Sequence, residues 1–263
     1  MSFHKNSFDE KVRTTNPHMM KYLIDAHCHI LPGVDDGAAN LDEAKKMLQI
    51  AHKEGIRYII ATPHFHPQRG HASPEKIQQS LMILRQEAEK IDEKMRVYRG
   101  RELLYREDLE KDLESIGALT MNDRTCILVE FHGGEEYEYI RHGLQKLQMA
   151  GYQVILAHIE RYKSVLEDID RAMEIYDMGI LIQINAESIM GKSGRKVKAF
   201  VRELLEEEMV FCVGSDAHDT HSRPPKMKKA AAYVEKHCGY DYAKAIFNDN
   251  IKNLLLRRKE EGL

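Results

Sequence analysis

Seven short runs dense in Val, Ile and Leu punctuate this chain, at 22–26, 58–61, 95–99, 126–130, 153–157, 181–185 and 210–214. They are apolar almost throughout rather than alternating, which is the pattern of strands buried on both faces in a parallel sheet covered by helices. The segments between them have helical periodicity. Over 42–54 the apolar positions Ala44, Met47, Leu48 and Ala51 form an i, i+3, i+4, i+7 stripe, with Gly55 as a stop signal. Further helices are expected at 74–91, 136–150, 167–178, 196–207 and 226–237. Strand and helix therefore alternate with no break in composition, which predicts an α/β fold, and seven such units favour a closed or nearly closed (β/α) barrel. A doubly wound open sheet is the competing architecture, but no Gly-x-Gly-x-x-Gly loop follows the first strand.

Composition narrows the function classes. With 263 residues and 43% hydrophobic content the chain can bury one full core. Residues 20–263 are expected to form a single domain, and the polar, unpatterned residues 1–19 an extension outside the fold. A net charge of −3 offers no broad basic surface for nucleic acid. No apolar run approaches the roughly 20 residues that span a bilayer, and no apolar signal region opens the chain, so membrane insertion is not expected and a cytoplasmic location is. Cys28, Cys126, Cys212 and Cys238 are scattered without a Cys-x-x-Cys pair, which argues against a thiolate metal site or a disulfide framework. Cys126 and Cys212 lie inside apolar runs and read as core residues. A cysteine-phosphatase loop is also unsupported, since the residues six beyond each cysteine are Val34, His132, His218 and Lys244 rather than arginine.

In a (β/α) barrel the chemistry gathers where strands end, because side chains there converge on one mouth. The first run is followed by His27 and His29, then Asp35 and Asp36. After the second come His64 and His66, and after the third Glu102. The fourth ends at Glu130, with His132 beyond it. The fifth leads to His158, Glu160 and Arg161, the sixth to Asn185 and Glu187, and the seventh to Asp216 and His218. Any one of these could be an ordinary buried polar group with a local partner. So many acceptors facing one mouth would repel one another without cations between them. His66, His71, His132 and His221 lie near the mouth but not at strand ends, and are candidates for supporting or substrate-contacting roles. The charged clusters at 206–208, 226–229 and 257–261 read as solvated helix faces.

The combination of Asp25 to His29, Pro32 to Gly37, Thr62 to His64, Glu102, Glu130, His158 to Arg161, and Ser215 to His218 followed by Arg223 to Pro225 resembles the polymerase and histidinol phosphatase (PHP) superfamily. Within it, the chain is most similar to the bacterial metal-dependent protein-tyrosine phosphatases of capsule and exopolysaccharide loci. The resemblance runs from about Met20 to the end, in the family's order and spacing. It implies a distorted seven-stranded barrel holding three divalent ions, manganese first and iron or zinc as alternatives. It also implies a phosphotyrosine protein as substrate, the Tyr-rich tail of a bacterial tyrosine kinase. Carried over by position, His27, His29, Glu102 and Asp216 would hold the first ion, with Glu102 bridging to a second site completed by Glu130 and His158. Asp36, His64 and His218 would hold the third, and Arg161 and Arg223 would bind phosphate. Two positions depart from the family pattern: Arg101 precedes Glu102 where a neutral residue is usual, and Phe131 to Gly133 replaces a proline-containing stretch.

Histidine and carboxylate donors without thiolates suit manganese, iron or zinc. Ions so held would activate water for attack at phosphorus, with the arginines on the phosphoryl oxygens. A tyrosinate leaving group, with a parent pKa of about 10, needs little help from an acid. His66 is the first candidate for any such acid and for a substrate contact. Histidinol phosphatase or another small-molecule phosphoesterase is the nearest alternative, and a non-catalytic kinase-binding module is the alternative of a different class. A metal-dependent amidohydrolase would carry a strand-end lysine where this chain has Glu102 and Glu130.

Overall fold

The computed structural model describes residues 20–66, 72–116, 120–123 and 125–256. The expected extension at 1–19, His71 and the charged cluster at 257–261 lie outside them. Among the described residues nine strands appear: β1 Leu23–Cys28, β2 Ile56–Ala61, β3 His64–Phe65, β4 Arg96–Arg99, β5 Glu102–Leu104, β6 Cys126–Glu130, β7 Gln153–Leu156, β8 Leu181–Asn185 and β9 Val210–Gly214. They form two sheets, ordered β1-β2-β4 and β3-β5-β6-β7-β8-β9. Every pairing is parallel.

The expected α/β architecture with parallel strands is present, drawn as nine strands in two sheets, and no closed barrel is seen among the described residues. Two expected strand regions are each interrupted and resume in the other sheet. After β2, Pro63 has no N–H to give a ladder, and after β4 the Gly100–Arg101 pair breaks the extended run. Backbone pairing persists across the breaks, as Gly100 N–H donates to Ala61 O (2.8 Å) and Glu102 N–H to Pro63 O (3.2 Å). These breaks carry His64 and Glu102 onto β3 and β5, where they lie opposite each other in register.

The end of β1 meets the segment beyond β9. His29 N–H donates to Ala217 O (2.9 Å), Asp216 N–H donates to His27 O (2.8 Å), and Cys28 forms an isolated parallel bridge with Ala217. That approach requires a glycine. A Cβ on Gly214 would sit 2.5 Å from the His27 Cβ, closer than packed atoms tolerate.

The core has two layers, separated by strand alternation. On β6, Ile127 and Val129 join the large cluster under the helices, while Cys126 and Leu128 join a smaller cluster with Ile24, Ile60, Ile155 and Cys212. Cys126 and Cys212 are core residues, as expected. The helix Leu41–Lys53 buries the expected stripe of Ala44, Met47, Leu48 and Ala51 and is capped by Asn40, whose side chain accepts from Glu43 N–H. Pro74–Ile91 is capped by Ser73 in the same way, and Tyr137–Met149, Ile169–Asp177, Arg195–Glu206 and Lys228–Cys238 occupy the other expected helical segments. Among the described residues no helix is long and apolar enough to cross a membrane.

Candidate metal centre

The smaller apolar cluster is a floor, and polar groups continue from it along the same strand faces. On β6 the sequence Cys126, Leu128, Glu130 keeps period two, so the carboxylate follows two apolar residues on one face. On β1 an irregularity between Asp25 and Cys28 re-aims the strand, and His27 and His29 point together with Nε2 atoms 3.1 Å apart, both fully buried. His158 and Asp216 reach the same space through left-handed backbone, at φ 31° and 51°. Non-glycine residues adopt that region at a cost of roughly 1 kcal/mol or more, so these two turns are held by their surroundings.

Glu102 is the hub. Its Oε2 lies 3.2 Å from His27 Nε2, 3.1 Å from His29 Nε2 and 3.0 Å from His64 Nδ1, and its Oε1 lies 2.8 Å from His158 Nε2. Asp216 Oδ1 stands 3.6 Å from His27 and 3.5 Å from His29. Glu130 Oε1 is 3.1 Å from His64 Nδ1, and Glu130 Oε2 is 3.8 Å from His158 Nε2. Asp36 Oδ1, on a largely exposed side chain, faces His64 Nε2 at 3.4 Å and His218 Nε2 at 3.6 Å. All nine candidate ligands read from the sequence thus converge on one space. Four overlapping groups there could each hold an ion: His27, His29 and Asp216; His27, Glu102 and His158; His64, Glu102 and Glu130; and His29, Asp36, His64 and His218. Glu102 is shared between groups, as in the bridging arrangement that the resemblance implied, and His27, His29 and His64 are shared as well.

The donor atoms are prepared to accept a cation. Asp216 Oδ2 accepts from Asn185 Nδ2 (2.9 Å), which fixes the Asn185 amide so that its Oδ1 accepts from Gln183 Nε2 (2.9 Å). Gln183 Oε1 then faces both His158 N–H (2.9 Å) and His27 Nδ1 (3.1 Å). An oxygen there requires a hydrogen on His27 Nδ1, so the neutral ring turns its Nε2 lone pair inward. His29 Nδ1 donates to Asp35 Oδ2 (2.8 Å) and His218 Nδ1 to the Asp216 carbonyl (2.9 Å), with the same consequence. Metal-binding histidines need this orientation, and the residues fit a divalent ion. Asp25, buried beneath, accepts from Ser215 N–H (2.8 Å) and Oγ–H (2.5 Å) and so holds the turn that presents Asp216.

Electrostatics agree with that fit. Burial pushes the Glu102 carboxyl up, yet the His27 charge and hydrogen bonds from His158, His27 and His29 hold it well below the usual range. Burial lowers His64, but Glu102 and Glu130 overcome it and raise the ring to about 11. His218 falls to about 3, through burial and then the neighbouring His29 charge. Carboxylates and imidazoles here compete for protons in positions where a divalent cation would serve all of them.

The centre opens into a cleft of about 540 Å³ lined by Asp36, His64, Glu130, His218 and both candidate arginines. Arg161 Nη1 and Arg223 Nη2 meet Asp216 Oδ2 at 3.0 and 2.6 Å, and both side chains are partly exposed to the cleft. His66 lines the same cleft with its ring centroid 6.2 Å from that of His132. Sequence reading missed Gln183, whose signal was a lone amide inside the apolar strand β8, and gave Asp35 and Asn185 no role. It also missed Asp219, whose carboxylate collects the N–H groups of the turn before Arg223.

Residues 23–256 match the family described as capsular polysaccharide synthesis, CpsB/CapC. The chain belongs to the CpsB/CapC family. Its relatives in that family include the tyrosine-protein phosphatase CpsB of Streptococcus pneumoniae, 32% identical over 89% of this chain and 98% of that protein. The tyrosine-protein phosphatase YwqE of Bacillus subtilis is 33% identical over 82% of this chain and 85% of its own length. Among solved structures, a match comes from work on Bacillus subtilis YwqE and Streptococcus pneumoniae CpsB, described as unique metal-dependent tyrosine phosphatases. It has a TM-score of 0.81 and 31% identity, covering 89% of this chain and 94% of that one. The CpsB/CapC match spans every strand and all nine converging side chains.

Proposed function

We propose that this chain is a metal-dependent protein-tyrosine phosphatase whose substrate is a phosphotyrosine protein, the Tyr-rich tail of a bacterial tyrosine kinase of capsule or exopolysaccharide synthesis. The observation that carries the reading is the convergence of nine His, Asp and Glu side chains, several with Nε2 lone pairs turned inward, beside two arginines in one open cleft. Relatives at about one-third identity named as tyrosine phosphatases support the same chemistry. In this reading residues 20–263 form one cytoplasmic catalytic domain, and the two sheets are the halves of a distorted seven-stranded barrel.

Three divalent ions, manganese first, are assigned to His27, His29, Glu102 and Asp216; to Glu102, Glu130 and His158; and to Asp36, His64 and His218. When bound, they supply Lewis acidity that activates water and neutralises phosphoryl charge. The chain's own residues do the positioning. Arg161 and Arg223 keep guanidinium N–H groups facing the cleft while anchored on Asp216, so they can clamp phosphoryl oxygens without searching for a conformation. His66 approaches the substrate from the rim. A tyrosyl oxygen, with a parent pKa of about 10, leaves without strong protonation, which matches a site dominated by acceptors and cations.

The test is phosphate release from a phosphotyrosine peptide by the purified protein with manganese, against histidinol phosphate in parallel. Faster turnover of the peptide is expected, together with loss of metal and activity in His27→Ala and Asp216→Ala. An Asp216→Ala variant as fast as the parent would sink the metal mechanism, and preference for histidinol phosphate would reassign the substrate.

A further inference from the structure

A second cleft, of about 510 Å³, adjoins the first and shares Glu130, His132 and Arg161 with it. A protein chain whose phosphate sits on Arg161 therefore has its neighbouring residues at the entrance of this second space. We propose that this cleft is a subsite for a lysine or arginine side chain flanking the phosphotyrosine. The inference rests on the phosphatase reading and names what that enzyme prefers beside the scissile phosphate.

Besides Glu130, which the phosphatase reading gives to an ion, two carboxylates, Glu160 and Glu187, line the cleft, with Arg161 as its cation. Arg161 is engaged with Asp216, which lines the first cleft rather than the second. Glu160 is 1% exposed. Its Oε1 accepts from Asn185 N–H at 2.8 Å, and the Ser188 side chain also hydrogen-bonds the carboxyl. Its charge, held away from water in the wall of the cleft, favours a cation in that space. Leu166 and Val197, both half-buried, line the same space and suit the methylene stem of a long basic side chain. At the rim Glu187 has a loose partner, with Lys192 Nζ 3.8 Å from its Oε2 on a largely exposed side chain. A substrate cation would compete with Lys192 there.

The experiment compares kcat/KM for phosphotyrosine peptides that carry Lys, Ala or Glu in turn at each flanking position, with phenyl phosphate as a substrate that has no flanking residue. At one position Lys is expected to exceed Glu by roughly three- to ten-fold, mainly through KM, as for a partly desolvated ion pair. Glu187→Lys should invert that ratio, and Lys192→Ala should enlarge it. A ratio below about two-fold at every position, or one that survives Glu187→Lys, overturns the subsite while leaving phosphatase activity in place. Failure to release phosphate even from phenyl phosphate would instead remove the phosphatase reading and this inference with it.

Discussion

Gln183 Oε1 lies 3.1 Å from His27 Nδ1, on the side of the ring opposite the nitrogen that faces Glu102 and Asp216. The same oxygen accepts from His158 N–H, so one buried amide orients groups on two candidate metal positions. Gln183→Leu keeps a similar volume but leaves both donors unpaired. Manganese affinity should fall by roughly 10- to 100-fold, the usual effect of removing a partner that orients a ligand. Isothermal titration with manganese checks this, and unchanged affinity would dismiss the orienting role.

Gly214 brings β9 against β1 at His27. In Gly214→Ala the new Cβ would meet the His27 Cβ at 2.5 Å, and both atoms are fixed by backbone. Neither side can yield by a rotamer change, so the strands must part. A loss of about 1–3 kcal/mol in stability is expected, as for overpacking elsewhere in cores. Because the strands part at a candidate ligand, the variant should also retain less metal per chain after purification. Denaturant melts and metal analysis on the same sample test both halves.

What the sequence disclosed depended on whether period or turn governed each residue. Glu130 was legible because Cys126, Leu128 and Glu130 keep a simple alternation, and the helix stripe of Ala44, Met47, Leu48 and Ala51 was legible for the corresponding helical reason. His64 and Glu102 were found as residues but misplaced as loop positions. The breaks at Pro63 and Gly100 do not end the sheet; they shift the chain into a second one. His158 and Asp216 were legible by position just beyond the fifth and seventh strands, but the left-handed turns that aim them are encoded in no apolar pattern. Gln183 had a visible signal, a polar residue in Leu181–Asn185, but its partners lie 25 and 156 positions away and only the fold supplies them.

Asp219 shapes the turn that carries Arg223. Its Oδ1 accepts from the N–H groups of His221 (2.6 Å), Ser222 (2.6 Å) and Arg223 (3.1 Å). Burial raises its carboxyl, but the Ser222 hydroxyl and those N–H bonds together outweigh that and hold it down at about 2, so the anion is present throughout the neutral range. Asp219→Ala frees three N–H donors and the Ser222 hydroxyl and loosens the approach of Arg223 to Asp216. A drop of roughly ten-fold in kcat/KM for a phosphotyrosine peptide is expected, consistent with a displaced anion clamp. Metal content should stay at the parent level. Equal loss of metal and activity would assign Asp219 to the fold rather than to Arg223.

Proton and metal compete at His29, and the direction of the competition is fixed by its partners. Burial lowers this ring, but hydrogen bonds and charge from Asp35 and Glu102 outweigh it and raise the metal-free group from 6.5 to about 9. A raised pKa in the folded state means that the protonated pair stabilises the metal-free protein fully below pH 6.5, and that this contribution is lost as pH rises through about 9. Asp35 is the complement. Burial raises it, yet the His29 hydrogen bond and charge lower it from 3.8 to about 2, so its contribution is present above pH 3.8 and lost as pH falls through about 2. For this pair the metal-free protein is therefore most stable between pH 3.8 and 6.5. A divalent ion on His29 Nε2 must displace the proton held there, so binding releases protons and tightens as pH rises from 6.5 towards 9. Thermal melts of chelator-treated protein at pH 6 and pH 9, each with and without manganese, read both effects. The metal-free Tm should fall at the higher pH while the increment from manganese widens, and an increment independent of pH would show that His29 gives up no proton to the metal.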